Sequence, residues 1–168
     1  MTDDLLERLN IAAKALIPAL LSGLLIILSL VPLRSPEVSP ITPALGLTAI
    51  YYWAVFRPDL LPTWLAFLLG LLQDLLTGAP LGVGVVMMVS MHSLVEIQRR
   101  IFVNPSFAML WLVFAFFAAA SLLLAWLLGS LLLGQLLEPR LLLLHYVLTV
   151  GVYPCLAWFF GKVQQFFL

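Results

Sequence analysis

Residues 66–84 read AFLLGLLQDLLTGAPLGVG and set one carboxylate, Asp74, inside an otherwise apolar run that ends at a glycine- and proline-rich break. A second apolar run begins directly after the break, so the stretch predicts two helices joined by a tight hairpin. Gly78 suits the left-handed residue that closes a helix, and Pro80 suits the first turn of the next one. Asp74 lies one turn before the break, about 6 Å of helix at roughly 1.5 Å per residue. The dipole of its own helix disfavours a carboxylate there. An unpaired charge at membrane depth costs about 3 kcal/mol or more. Asp74 therefore needs a partner: backbone N–H groups of the following helix, or a cation such as Arg34 or Arg140. A contact with another protein, or proton or substrate handling, are the other uses it could serve.

The rest of the chain has the same character. Hydrophobic residues make up 64% of its 168 positions and charged ones 10%, against about 25% charged in an average soluble domain. A soluble fold of this length has no core large enough for that much apolar surface, so the composition is that of an integral membrane protein. Net charge is zero and no basic run exceeds Arg99-Arg100, which argues against nucleic acid as a partner. Cys155 is the single cysteine, so there is no disulfide framework or cysteine metal site, and it reads as a small packing residue. The apolar run 15–33 is longer than the roughly 7–15 residues of a signal-peptide core, and it ends in Val31-Pro32-Leu33-Arg34 rather than a small-residue cleavage site. It reads as a retained first membrane helix.

A hydrocarbon core about 30 Å thick asks for roughly 17–25 apolar residues per helix. The segments that qualify are 15–33, 42–57, 61–77, 80–98, 107–133 and 141–162: a compact all-α bundle of six spans forming one domain over 1–168. Pro43 is expected in the first turn of the second span. With the N-terminus inside, Arg8, Lys14, Arg57, Arg99, Arg100 and Lys162 are cytoplasmic, and only Arg34 and Arg140 are outside. The positive-inside rule thus predicts both termini in the cytoplasm. Tyr51, Tyr52, Trp53, Trp64, Trp111 and Trp158 fall near the cytoplasmic ends, as an interfacial aromatic belt would. The outer segment Arg34–Thr42, RSPEVSPIT, is expected to run extended, and Leu133–Arg140 is of similar length. Neither holds a folded domain, so function has to reside in the helices and their ends.

Ahead of the first span, Thr2–Lys14 reads as a short amphipathic helix. Asp4 and Glu7 have capping-box spacing, Leu5, Leu6 and Leu9 could lie on lipid, and Arg8 and Lys14 could meet headgroups. It either leads into the first span or docks a cytoplasmic partner. Small residues recur at Ala15, Ala19 and Gly23, and again at Ser121, Ala125 and Gly129, where helices could approach closely inside the bundle or against a partner. Pro154, with Gly151 nearby, predicts a kink in the sixth span.

Little else carries chemistry. His92 and Glu96 share a helix face at metal-ligand spacing, but a site usually needs three or four ligands, and a polar helix end with Arg99 and Arg100 explains them better. His145 reads as an interfacial histidine, and Ser90, Ser93 and Ser121 have no base placed around them by any motif. No phosphate loop is present. The residues call for no cofactor, no metal and no catalytic group. Arg57-Pro58-Asp59 forms the turn between spans two and three, Arg57 closing one helix and Asp59 opening the next, each favoured by its dipole.

Pro43, Tyr51-Tyr52-Trp53-Ala54, Arg57-Pro58-Asp59 and the string from Gly70 through Asp74, Gly78, Pro80 and Gly82 to Val83 together resemble the bacterial MreD family of rod shape-determining proteins. The likeness is densest from Pro43 to Gly84 and returns at Tyr153-Pro154 and at 162–166. It implies a non-enzymatic scaffold of the inner membrane, multi-pass, within the cell-elongation complex. It also implies MreC as direct partner, with MreB filaments, the RodA glycosyltransferase and a penicillin-binding transpeptidase as complex members supporting lateral peptidoglycan synthesis and rod shape. Membrane lipids and a second copy of the chain are further expected contacts. The resemblance makes Arg57, Pro58, Asp59, Gly70, Asp74, Gly78, Pro80 and Gly82 structural or partner-binding residues, and it implies a fold like the S components of energy-coupling-factor transporters. The alternative is a small-molecule or lipid carrier of that S-component type, with Gln73, Asp74 and His92 lining an outward pocket. An intramembrane enzyme comes third, for want of a polar constellation to house it.

Overall fold

The structure, a computed structural model, describes residues 2–30 and 42–167, with side chains over 16–30, 42–100 and 102–166. Helices run α1 Thr2–Ser29, α2 Leu45–Phe56, α3 Thr63–Thr77, α4 Val83–Ile97, α5 Phe107–Leu133 and α6 Pro139–Phe167. Single 3-10 turns at Pro58–Leu60 and Arg99–Phe102 connect α2 to α3 and α4 to α5. Among the described residues there is no strand. Arg34 and the rest of 31–41, and the side chains of the amphipathic pattern ahead of the first span, lie outside what is described. The backbone there is helical from Thr2 onward, so the N-terminal segment and the first apolar run are one helix.

Local chemistry sets most of the ends. Ser106 caps α5, its Oγ accepting from Met109 N at 3.3 Å, and Gly134 closes the same helix in the left-handed region at φ 66°. Pro139 opens α6 at the position where a missing N–H costs nothing. Three expectations shift. Pro43 precedes α2 rather than entering its first turn, its carbonyl accepting from Leu45 N at 2.8 Å. Asp59 does not open α3: it is exposed in the 3-10 turn, and Leu61 and Pro62 intervene before Thr63. Pro80 lies in the turn ahead of α4, whose first residue is Val83.

These turns shorten the middle helices. α3 and α4 have 15 residues each and α2 has 12, or about 22 and 18 Å at roughly 1.5 Å per residue. α5 and the Pro139–Phe166 part of α6 are long and apolar enough to cross a membrane.

α2 is the centre of the packing. Every residue from Gly46 to Ala54 is buried, as expected of a helix apolar all round. It touches α1, α4 and α6. Gly46 permits this: a Cβ there would stand 2.6 Å from Ile26 Cγ1 and 2.7 Å from Met88 Cε. Tyr51, Tyr52 and Trp53 are therefore core residues, not an interfacial belt. Tyr51 packs against Phe114 and Tyr153 with ring centroids 5.0 and 5.6 Å away, and its hydroxyl donates to Leu110 O at 2.8 Å. Trp64, Trp111 and Trp158 are exposed.

Long-range polar ties are few and each answers a specific need. Thr149 Oγ1 accepts from Ala44 N at 3.0 Å, which joins the start of α2 to α6. Pro154 has no N–H to give Val150 O one turn back. Trp111 Nε1 on α5 donates to that carbonyl at 3.0 Å instead, and α6 continues unbroken past the proline. Ser121, Ala125 and Gly129 are all buried, so the small-residue stripe of α5 serves packing within the bundle. Cys155 is exposed on α6, contrary to its reading as a packing residue.

Candidate functional site

The α3–α4 hairpin brings most of the singled-out residues together. Gly78 closes α3 in the left-handed region at φ 68°, and Gly82 precedes α4 at φ 107°, a conformation L side chains rarely adopt. Gly82 also offers no side chain to cap α4. Asp74 supplies the missing cap from the neighbouring helix: Oδ2 accepts from Gly82 N at 2.8 Å and Oδ1 from Gly84 N at 2.6 Å. The carboxylate is 1% exposed. It sits at the N-terminus of α4, where unpaired N–H groups and the helix dipole favour negative charge, and this outweighs the unfavourable end of α3. Of the partners open to Asp74, backbone N–H groups bond both its oxygens, and Arg34 lies outside the described residues.

Two glycines make that geometry accessible. A Cβ on Gly70 would stand 2.6 Å from Val85 Cα, and one on Gly84 would stand 2.6 Å from Asp74 Oδ1 and 2.9 Å from Gly70 O. The backbones of α3 and α4 thus touch directly beside the carboxylate. Gly84 completes the latch and was not singled out, although its place two residues past Gly82 carries the signal.

Arg57, Pro58 and Asp59 lie apart, in the 3-10 turn at the opposite end of α3. Arg57 N donates to Trp53 O at 2.8 Å and ends α2, as expected of it. What holds this end is His92, which sequence reading assigned to a polar helix end. The ring is buried, and Nε2 lies 2.8 Å from Leu61 O. A carbonyl only accepts, so Nε2 carries the proton, leaving Nδ1 3.5 Å from Thr63 Oγ1 and 3.9 Å from Glu96 Oε2. Arg99 Nη2 is 3.9 Å from Glu96 Oε1. No group of three or more His, Cys, Asp or Glu side chains converges on a possible metal position among the described residues.

Two open pockets lie beside the latch. One, of about 450 Å³, is bounded by Ser29, Thr42 and Ala44; the other, of about 310 Å³, runs between α4, α5 and α6 along Val83, Met87, Leu122 and Leu142. Gln73, Thr77 and His145 line both. Gln73 lines both pockets and Asp74 one, whereas His92, grouped with them in the carrier reading, lines neither.

Fold and latch define a helical bundle with two helices long and apolar enough to cross a membrane, in which the one buried carboxylate among the described residues is held by backbone N–H groups. The family of the rod shape-determining protein MreD matches residues 10–163 of the 168-residue chain, and the chain belongs to it. That family serves rod-shape determination at the membrane and is not a known enzyme family. No match was found among curated proteins or among solved structures.

Proposed function

We propose that the chain is a multi-pass scaffold of the bacterial inner membrane. In this reading it crosses six times with both termini cytoplasmic, has an S-component-like arrangement, and binds MreC to support lateral wall synthesis by the elongation complex. The family match over 10–163 carries the reading. The latch fits it, because Asp74, with both oxygens occupied, is an architectural group that holds two helices at fixed spacing. α2 to α4 are shorter than the bilayer, which local thinning and burial within the bundle accommodate. Broad apolar faces remain on the outer helices, with Leu20 and Leu24 on α1, Leu127 and Leu131 on α5, and Leu143 and Val147 on α6 all exposed. A partner with a single membrane helix packs on such faces through close van der Waals contact.

Depletion in a rod-shaped bacterium should give round cells that re-expression restores to rods. Photo-crosslinkers at Leu24, Leu127 and Val147 should capture MreC from at least one face. Rods that persist on depletion, or crosslinks to lipid alone at all three positions, would overturn this function.

A further inference from the structure

Away from the α3–α4 hairpin, an open groove of about 530 Å³ lies between α2, α5 and α6. Buried Tyr52 and Tyr153 form its floor, and the exposed rings of Phe56, Phe107 and Trp158 form its rim. The floor is held in place: the Tyr52 hydroxyl donates to Gln164 Oε1 at 3.0 Å, and the Tyr52 ring centroid is 5.0 Å from that of Phe160. Gly161 adds no side chain over this floor, where a Cβ would stand 3.9 Å from the Tyr52 hydroxyl. None of the lining residues is charged, so the groove suits an apolar chain. Charge enters at one end. Arg57 directly follows Phe56, and Lys162 directly follows Gly161, one helical turn beyond Trp158 and on the same face of α6. Phe107 opens α5 at this level, so the end of α2, the start of α5 and the last turns of α6 meet beside two cations. Lys162 is exposed, and a lysine there rests its stem on apolar surface while its ammonium reaches the headgroups.

We infer that this groove binds an anionic glycerophospholipid, with an acyl chain over Tyr52 and Tyr153 and the phosphate at Lys162 and Arg57. Basic pockets between membrane helices hold such headgroups, and an aromatic rim suits the boundary between headgroup and hydrocarbon. A zwitterionic lipid fits the same apolar walls but brings a cation of its own against the two that are present. On α6 the groove runs from Tyr153 to Gly161, about 12 Å at roughly 1.5 Å per residue. That is short of the roughly 30 Å over which a partner's membrane helix would pack. The inference rests on the multi-pass reading only in that a headgroup layer meets this end of the bundle.

The test uses the full chain in phosphatidylcholine nanodiscs doped with phosphatidylglycerol or, separately, phosphatidylcholine, each carrying a photoreactive acyl chain. Phosphatidylglycerol should label the groove residues of α2, α5 and α6 about fivefold or more over the phosphatidylcholine probe. Lys162→Gln should lower that ratio about fivefold, the effect of one cation beside an anionic headgroup. Gly161→Leu keeps both cations, introduces a better helix former and fills the groove, so it should abolish the preference. Lys162 is exposed, so its substitution tests the site even where Gly161→Leu fails to fold. Equal labelling by the two lipids would make the groove ordinary lipid- or partner-facing surface and overturns the proposal, as does a preference unchanged in either variant. Insertion into the discs is read separately, by co-elution of chain and disc, so failure of the lipid site and failure of the membrane reading are told apart.

Discussion

The two ends of the α3–α4 pair are both pinned by a buried polar side chain, yet by opposite means. At the hairpin end, Asp74 reaches residues eight and ten positions away, and both its oxygens take backbone N–H groups. At the other end, His92 reaches back 31 positions to Leu61 and supplies a donor to a carbonyl. The first caps a helix start and the second caps a turn. A carboxylate can satisfy N–H groups and a protonated ring nitrogen can satisfy C=O, so each residue type suits the polarity of the end it closes. The difference also separates a local interaction, made next door in the chain, from a distant one that forms only when α4 lies against the α2–α3 turn.

The largest effect should come from the glycine contact beneath the carboxylate. Gly70→Leu pushes side-chain atoms into the α4 backbone, which cannot give way as a flexible side chain can, and should destabilise by about 3 kcal/mol. Unfolding followed by tryptophan fluorescence in mild detergent measures it; a loss below that of the latch substitution would mean the helices separate more easily than their contact implies.

Asp74→Asn comes next. The two oxygens serve two different N–H groups, so an amide must turn its NH₂ toward one of them, and about 2 kcal/mol should be lost with the charge-assisted bond. Wild-type stability in Asp74→Asn would show that one acceptor suffices and that the hairpin end is no stronger than the His92 end. His92→Phe should cost about 1 kcal/mol, since it leaves Leu61 O without its donor. The order Asp74→Asn above His92→Phe is the comparison itself, and its reversal would refute the greater weight given to the hairpin end.

The smallest effect is the most specific. Trp111→Phe should cost about 0.6 kcal/mol by removing the donor to Val150 O. In a Pro154→Ala background the restored N–H serves that carbonyl within α6, so the same substitution should then cost nearly nothing. A double-mutant cycle reads the coupling, and additivity would break the link between the proline and the indole.

Much of this was visible along the chain, and the reason is distance. The ends of α5, the left-handed Gly78 and the hairpin after Asp74 depend on contacts within a few residues, so residue type at a position states them. The helix limits near Pro43, Asp59 and Pro80 were misplaced by two or three residues because a proline is equally at home in a turn and in a first helical turn. His92 was legible as polar but not as a clamp, since nothing near it in the sequence names Leu61. Tyr51, Tyr52 and Trp53 misled for a related reason: aromatic residues near a helix end suit both a lipid interface and a core, and only the neighbours of α2 distinguish them.

Taken by itself, the sequence determined an apolar helical chain, the break at Gly78-Ala79-Pro80 and the need of Asp74 for a partner, because composition, turn chemistry and the cost of a lone charge act at the residue itself. Tertiary structure decided which N–H groups bond Asp74, that α2 is enclosed, and that Gly70 and Gly84 let two backbones touch. These are matters of a few ångströms between helices, and such distances exist only once the bundle has packed.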